Sequence, residues 1–251
     1  MIYCFSGNGN SLYVARALAG ALGDNVVRID RESLSFPDAH GCSGGNVIWV
    51  FPIYSWGLPG PVVEFMKRVE VIGARHFMVA TCGDDVGMAH RQWRKAVSSR
   101  GWEDVATFSV QMPNTYVLLP GFDVDTPEVE EQKLKLAPQR LSAIIARIGQ
   151  GWRGDDVVKG RFPRLKSRVI YPAFMKQGIH PGRFRCDMSR CVKCGKCQAV
   201  CPVENVALVD GRPQWGGDCA LCLGCYNACP VHAVNYGTAT LRKGQYRCPL
   251  I

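Results

Sequence analysis

The sequence predicts an α/β chain in two parts, a doubly wound parallel sheet followed by a small α+β unit organised by cysteine. Three observations carry this. Apolar, β-prone runs alternate with helix-patterned runs through the first 150 residues, a cation-rich stretch then breaks the pattern, and eight cysteines recur in two identical runs further on. At 251 residues, with 47% hydrophobic and 20% charged residues, the chain can fill one large core or two modest ones. Its most apolar stretch, NVIWVFPIYSWGLPGPVV, is broken by Pro52, Pro59 and Pro61, and no leader pattern opens the chain. Neither export nor a membrane span is therefore expected, and the cytoplasm is the expected compartment.

The first element reads as strand, loop and helix. MIYCF is a short apolar run, SGNGNS supplies turn-forming residues, and LYVARALAGAL sets Leu12, Ala15, Ala19 and Leu22 at helical spacing. A small-residue loop at a helix start presents backbone N–H groups and the positive dipole end, so an anion such as phosphate is its natural guest. The loop lacks the third glycine of GxGxxG and the lysine of a P-loop, which argues against a dinucleotide or NTPase site. Ser6, Gly7, Asn8, Gly9, Asn10 and Ser11 would have to hold phosphate with amides and hydroxyls alone.

The alternation continues. NVIWVF reads as a buried strand, and PIYSWGLPGPVVEFMKRV as an aromatic turn entering a helix that Pro59 or Pro61 could start. HFMVATC is the next strand, GDDVG its turn, MAHRQWRKAVSS a helix and DVATFSVQM another strand. EEQKLKLAPQRLSAIIARI reads as a covering helix that Pro138 interrupts or kinks. Ligands of such sheets bind at the carboxyl ends of the strands, where all the candidate loops fall.

This order and the SGNGNS loop resemble the flavodoxin family over residues 1–150. The resemblance implies a five-stranded sheet and bound flavin mononucleotide (FMN), its ring flanked by Pro52, Ile53, Tyr54, Ser55, Trp56 and Gly57 and by Thr81, Cys82, Gly83 and Asp84. Tyr54 and Trp56 offer flat faces for stacking, and Tyr116 is placed to close over the site. The sequence departs from the family at Asn8, where threonine is common, and in the third loop, where an aromatic residue often stands. Asp84 and Asp85, if turned inward, would disfavour an anionic reduced flavin, and Cys82 is the thiol expected to react near the ring.

Thirteen cysteines in a chain of this length point to metal rather than to a disulfide scaffold. CVKCGKCQAVCP (191–202) and CALCLGCYNACP (219–230) share the pattern CxxCxxCxxxCP, and three thiols at that spacing wrap one iron-sulfur cube better than they suit tetrahedral zinc. The fourth cysteine, three residues on and followed by proline, reaches across to the other cube. Cys191, Cys194 and Cys197 would thus share a cluster with Cys229, and Cys219, Cys222 and Cys225 one with Cys201. The runs resemble bacterial-type ferredoxins with two 4Fe-4S clusters, over residues 183–237, and CPVENVAL aligns with CPVHAVNY without a gap. Cys186 stands five residues before Cys191, but eight thiols already complete two cubes.

Residues 151–182 read as a basic linker and 238–251 as a tail. Between 151 and 185 nine cations face only Asp155 and Asp156, which accounts for most of the formal charge of +9. Two oxidised cubes and a flavin phosphate would lower that to about +3, so an acidic redox partner is expected and nucleic acid is not. The two resemblances together imply an electron-transfer protein passing electrons between FMN and two clusters, as in anaerobic-type metabolism. One alternative is a flavin-dependent reductase of a small quinone-like or unsaturated molecule, whose pocket MPNTYVLLPGFDVD could line. Another is a flavodoxin-like scaffold that has lost its cofactor.

Overall fold

The computed structural model describes residues 1–177 and 180–251. Its centre is an all-parallel sheet of six strands: β1 (Ile2–Cys4), β2 (Val26–Arg28), β3 (Asn46–Pro52), β4 (Arg75–Cys82), β5 (Glu103–Gln111) and β6 (Gly154–Asp156), in the order β2-β1-β3-β4-β5-β6. Helices α1 (Asn10–Leu22) and α4 (Pro127–Gly149) cover one face; α2 (Gly60–Arg68) and α3 (Ala89–Ser99) cover the other. Strand alternation sets the two cores. Ile2, Cys4, Ile48, Val50, Phe77 and Val79 pack towards α1 and α4, while Tyr3, Phe5, Trp49, Phe51, Met78 and Ala80 pack towards α2 and α3. The order reverses between β2-β1 and β3, the switch point at whose carboxyl end such sheets take ligands.

The sheet has six strands where five were expected, and the sixth comes from the stretch read as a linker. Its three residues, Gly154, Asp155 and Asp156, carry no apolar signal and are held by charge instead. The Asp155 carboxylate accepts from Arg94 on α3 at 2.9 Å and from Thr107 at 2.7 Å. Asp156 pairs with Arg140 at 2.7 Å and with Arg147, both on α4. The helices on both faces thus pin the edge strand through the only two acids of the cationic stretch.

Pro138 does not interrupt α4, which runs through it for 23 residues. The ring lies on the exposed side, where water can serve the carbonyl that loses its amide partner. Residues 163–177 form a helix with a π-turn over Lys166–Ile170, and it folds back over the carboxyl ends of β3 and β4. Lys166 pairs with Asp85 at 2.6 Å, Ser167 Oγ donates to the Trp56 carbonyl at 2.7 Å, and Tyr171 donates to the Leu58 carbonyl at 2.8 Å.

Beyond it lies a small α+β unit. Phe184–Cys186 pairs antiparallel with Val234–Tyr236, Val206–Val209 pairs with Arg212–Trp215, and the short helices Lys196–Ala199 and Gly224–Asn227 lie between. The tail does not hang free. Tyr246 N donates to Asn227 Oδ1 at 3.0 Å, Tyr246 OH to Asn10 Oδ1 at 3.0 Å, and Cys248 N to the Asn8 carbonyl at 2.9 Å, so it buckles the unit to the β1–α1 loop. No helix among the described residues is long and apolar enough to cross a membrane.

Candidate functional site

The β1–α1 loop opens onto a cavity of about 100 Å³ at the switch point. Ser6 Oγ accepts from the amides of Gly9 (3.2 Å) and Leu12 (3.3 Å), which folds the loop into a tight cradle. The amides of Gly7, Asn8, Asn10 and Ser11 find no protein acceptor among the described residues, and all four residues line the cavity. Unpartnered N–H groups at the start of a 13-residue helix make an anion cradle with no cationic side chain. Asn8 Oδ1 is buried without a partner and could accept from a sugar hydroxyl, whereas its Nδ2 is committed to the Cys222 carbonyl at 2.7 Å. Ser11 Oγ shares a 2.7 Å hydrogen bond with Thr81 Oγ1, tying the first loop to the third. These features fit a phosphate and the polyol chain beside it.

Pro52, Ile53, Tyr54 and Ser55 wall the same cavity, opposite Thr81, Cys82 and Gly83. Tyr54 and Gly57 close a tight turn in which Ser55 and Trp56 take left-handed φ values of 45° and 64°. Tyr54 faces inward, edge-on to Phe5 with centroids 6.2 Å apart. Trp56 and Asp84 lie on an outer groove of about 480 Å³ that shares Ile53, Cys82, Asn114, Tyr116 and Phe174 with the inner cavity. Tyr116 stands edge-on to Phe122 (5.6 Å) and Phe174 (6.0 Å) and borders both spaces. A planar ring would fit this aromatic-walled groove.

Four expectations are corrected here. Gly9 does not face the cavity, because Cys248 and Ile251 of the tail sit against it. Gly57 is covered by the Tyr171 ring, which leaves no room for a Cβ. Burial first, then Asp85 and Asp84, pushes the Cys82 thiol up to about 12, against the reactivity expected of it. Asp85 is neutralised by Lys166, so of the two carboxylates only Asp84 stands exposed on the groove. Asn114 and Phe174 were missed. Asn114 Oδ1 lies where a Gly83 Cβ would be, and Asp125, itself paired with Lys133 at 2.6 Å, accepts from Asn114 Nδ2 at 3.0 Å. Asn114 stands two residues before Tyr116 in MPNTYVLLPGFDVD, and Phe174 lies in a segment whose strongest signal is its cations.

The two cysteine runs fold as near copies, 28 positions apart. Left-handed residues recur in register: Lys193 with Leu221 (φ 54° and 50°), Gly195 with Leu223 (74° and 58°), and Glu204 with His232 (50° and 51°). Five of these six are not glycine, so each run holds costly backbone turns that aim successive thiols to one side. Cys191, Cys194, Cys197 and Cys229 line one small cavity, together with Cys186. On the other side Cys201 lies close enough to Cys219, Cys222 and Cys225 to act on all three electrostatically. The crossed sets expected from spacing are therefore the sets brought together.

In the second set each sulfur accepts a hydrogen bond: Cys201 from Asn205 N (3.2 Å), Cys219 from Leu221 N (3.4 Å), Cys222 from Gly224 N (3.4 Å) and Cys225 from Trp215 Nε1 (3.5 Å). Burial, then mutual repulsion, pushes the Cys222 thiol far up, and burial pushes Cys225 up to about 12. Cys219, Cys222 and Cys225 thus resist ionising, a cost that a bound metal centre would offset by taking the anions. Among the described residues no three Cys, His, Asp or Glu side chains converge as a single metal ion would require. Away from the two runs, Cys42 accepts from Tyr3 OH at 3.6 Å and Cys248 packs on Gly9.

The two candidate sites touch. A Cβ on Gly7 would lie 2.4 Å from the Cys222 Cβ, and one on Gly224 would lie 3.1 Å from the Gly7 carbonyl oxygen. Leu221, Cys222 and Leu223 complete the wall of the inner cavity. The repeat breaks its symmetry where this contact requires it: buried Gly224 occupies the position that exposed Lys196 holds in the first run. By the same relation Cys222 faces the cavity while its counterpart Cys194 is exposed.

No protein-family model matches the chain, and no curated protein matches it. Among solved structures, "The Structure of Trp Repressor Binding Protein from Bacillus subtilis" is similar at 15% identity with a TM-score of 0.40, covering 59% of this chain and 96% of that one.

Proposed function

We propose that the protein is an electron-transfer iron-sulfur flavoprotein, with FMN in the switch-point cavity and a 4Fe-4S cluster in each crossed set of cysteines. The single observation that carries this reading is the contact between Gly7 and Cys222, which sets a candidate phosphate loop directly against a candidate cluster ligand. The strand order, which extends the 2-1-3-4-5 order of flavodoxin-type sheets by one strand, also supports it. Bound FMN exchanges two electrons with organic molecules or one with a metal centre, and each cube passes one.

The chain's own residues divide the remaining work. The amides of Gly7, Asn8, Asn10 and Ser11 bind the phosphate, and Ser6 and the Ser11–Thr81 pair hold the loop in shape. Tyr54, Tyr116 and Phe174 exclude water from the ring's surroundings. Asn8 holds the Cys222 carbonyl and so fixes the distance between loop and second cluster. Cys194 and its exposed neighbours Val192, Lys193 and Lys196 give the first cluster an outlet to solvent, suited to an acidic redox partner. The reading places the protein in the cytoplasm.

A second reading has its own support. The outer groove of about 480 Å³, bordered by Leu119, Phe122, Ile170 and Ala173, is roomy and apolar enough for a small planar molecule above the ring. In that case the clusters would feed a reductase.

Anaerobic purification followed by iron, sulfide and flavin analysis tests the proposal. About eight irons, eight sulfides and one flavin per chain are expected. Full iron without flavin would reduce the first 150 residues to a scaffold, and zinc in place of iron would end the reading.

A further inference from the structure

A four-iron cluster needs four thiolates, and the first cysteine cavity offers five sulfurs. Cys186 ends a strand whose register is fixed by pairing with Val234, and the Asp187 amide donates to the Ala233 carbonyl at 2.8 Å. The chain then turns sharply: the amides of Arg190 (3.2 Å) and Cys191 (3.0 Å) both donate to the Asp187 carbonyl. That turn brings Cys191 back beside Cys186, and Cys197 and Cys229 line the same cavity. The ring of Cys201, Cys219, Cys222 and Cys225 has one sulfur for each iron and no counterpart to Cys186 near it, because the equivalent position 28 residues on is Gln214, in the Arg212–Trp215 strand. The surplus thiol therefore belongs to the cavity whose Cys194 is open to solvent.

We propose that Cys186 is a replacement ligand for the iron held by Cys191, an inference that rests on the two-cluster reading above. In the exchange the Fe–S bond to Cys191 breaks and one to Cys186 forms. The proton leaving the Cys186 thiol is taken up by the Cys191 thiolate, so no electron moves and the net charge is unchanged. The arrangement gives the solvent-facing cluster a second way to stay whole when a ligand is lost, where the buried cluster has only one.

Iron and sulfide counts on Cys191→Ala, Cys186→Ala and the double substitution, all purified without oxygen, test this. Cys191→Ala and Cys186→Ala are each expected to keep about eight irons, whereas the double substitution falls toward about four. A Cys191→Ala protein that already falls as far as the double would overturn the inference. The irons of the second cluster mark a folded unit in every variant, and the low-temperature electron paramagnetic resonance spectrum of reduced Cys191→Ala should show a first-cluster signal with altered g-values. An unaltered signal would equally count against replacement. Wild-type protein without iron would instead remove the two-cluster reading itself, so the two failures are distinguishable.

Discussion

Cys201→Ala is expected to empty the cluster site of the other run. Cys201 belongs by sequence to the first run, yet it lies with Cys219, Cys222 and Cys225, and its sulfur accepts the Asn205 amide at 3.2 Å as part of that ring. Iron should fall from about eight toward about four per chain, the survivors being those of the first cavity. The decisive comparison adds Cys222→Ala. With crossed ligation the double substitution strikes the same cluster twice and retains about four irons; with ligation confined to each run it strikes both clusters and retains almost none. The second set is the better place for this test, because the first has Cys186 in reserve.

Gly7→Val should separate the two sites. The Gly7 backbone is not in the left-handed region, so the constraint is space alone: any Cβ there meets the Cβ of Cys222 at 2.4 Å and its sulfur at 3.1 Å. Overpacking of this kind costs about 1–3 kcal/mol, and here the strain falls on the loop whose amides would hold phosphate. If it is relieved by moving the loop, flavin affinity should drop about 5- to 150-fold. Fluorimetric titration of apoprotein with FMN reads the loss directly. Gly20→Ala is the control, since Gly20 lies on the exposed side of α1 with nothing within 4 Å of the added carbon. It should leave affinity unchanged, and a Gly7→Val protein that binds FMN as tightly as wild type would show that the loop does not hold the cofactor.

What the sequence revealed and what it concealed differ in kind. β3 and β4 were legible because their centres are buried apolar runs, and α3 because MAHRQWRKAVSS carries a clear helical stripe. The eight cysteines were legible as a doubled pattern, and the thiols that lie together are the crossed sets that the three-residue gap and the proline suggested. β6 was not legible, since Gly-Asp-Asp has no β propensity and owes its place to arginines 9 and 16 residues away in α4 and 61 away in α3. The segment 163–177 was read by its charge, although Tyr171 and Phe174 were there to be seen as a cover for the site. The docking of the two units left only a faint mark, the replacement of Lys196 by Gly224 across an otherwise faithful repeat. A glycine there gains meaning once Gly7 is known to approach it.

In the proposed function a flavin and an iron-sulfur cube meet across the contact of Gly7 with Cys222. Diffraction from anaerobically grown crystals, with anomalous data collected on both sides of the iron edge, tests that most directly. The expected map has two compact iron peaks, one enclosed by Cys201, Cys219, Cys222 and Cys225, and flavin density with its phosphate on the Gly7–Ser11 amides. Peaks at the zinc edge, or iron in both cysteine cavities with the neighbouring loop holding no flavin, would contradict it.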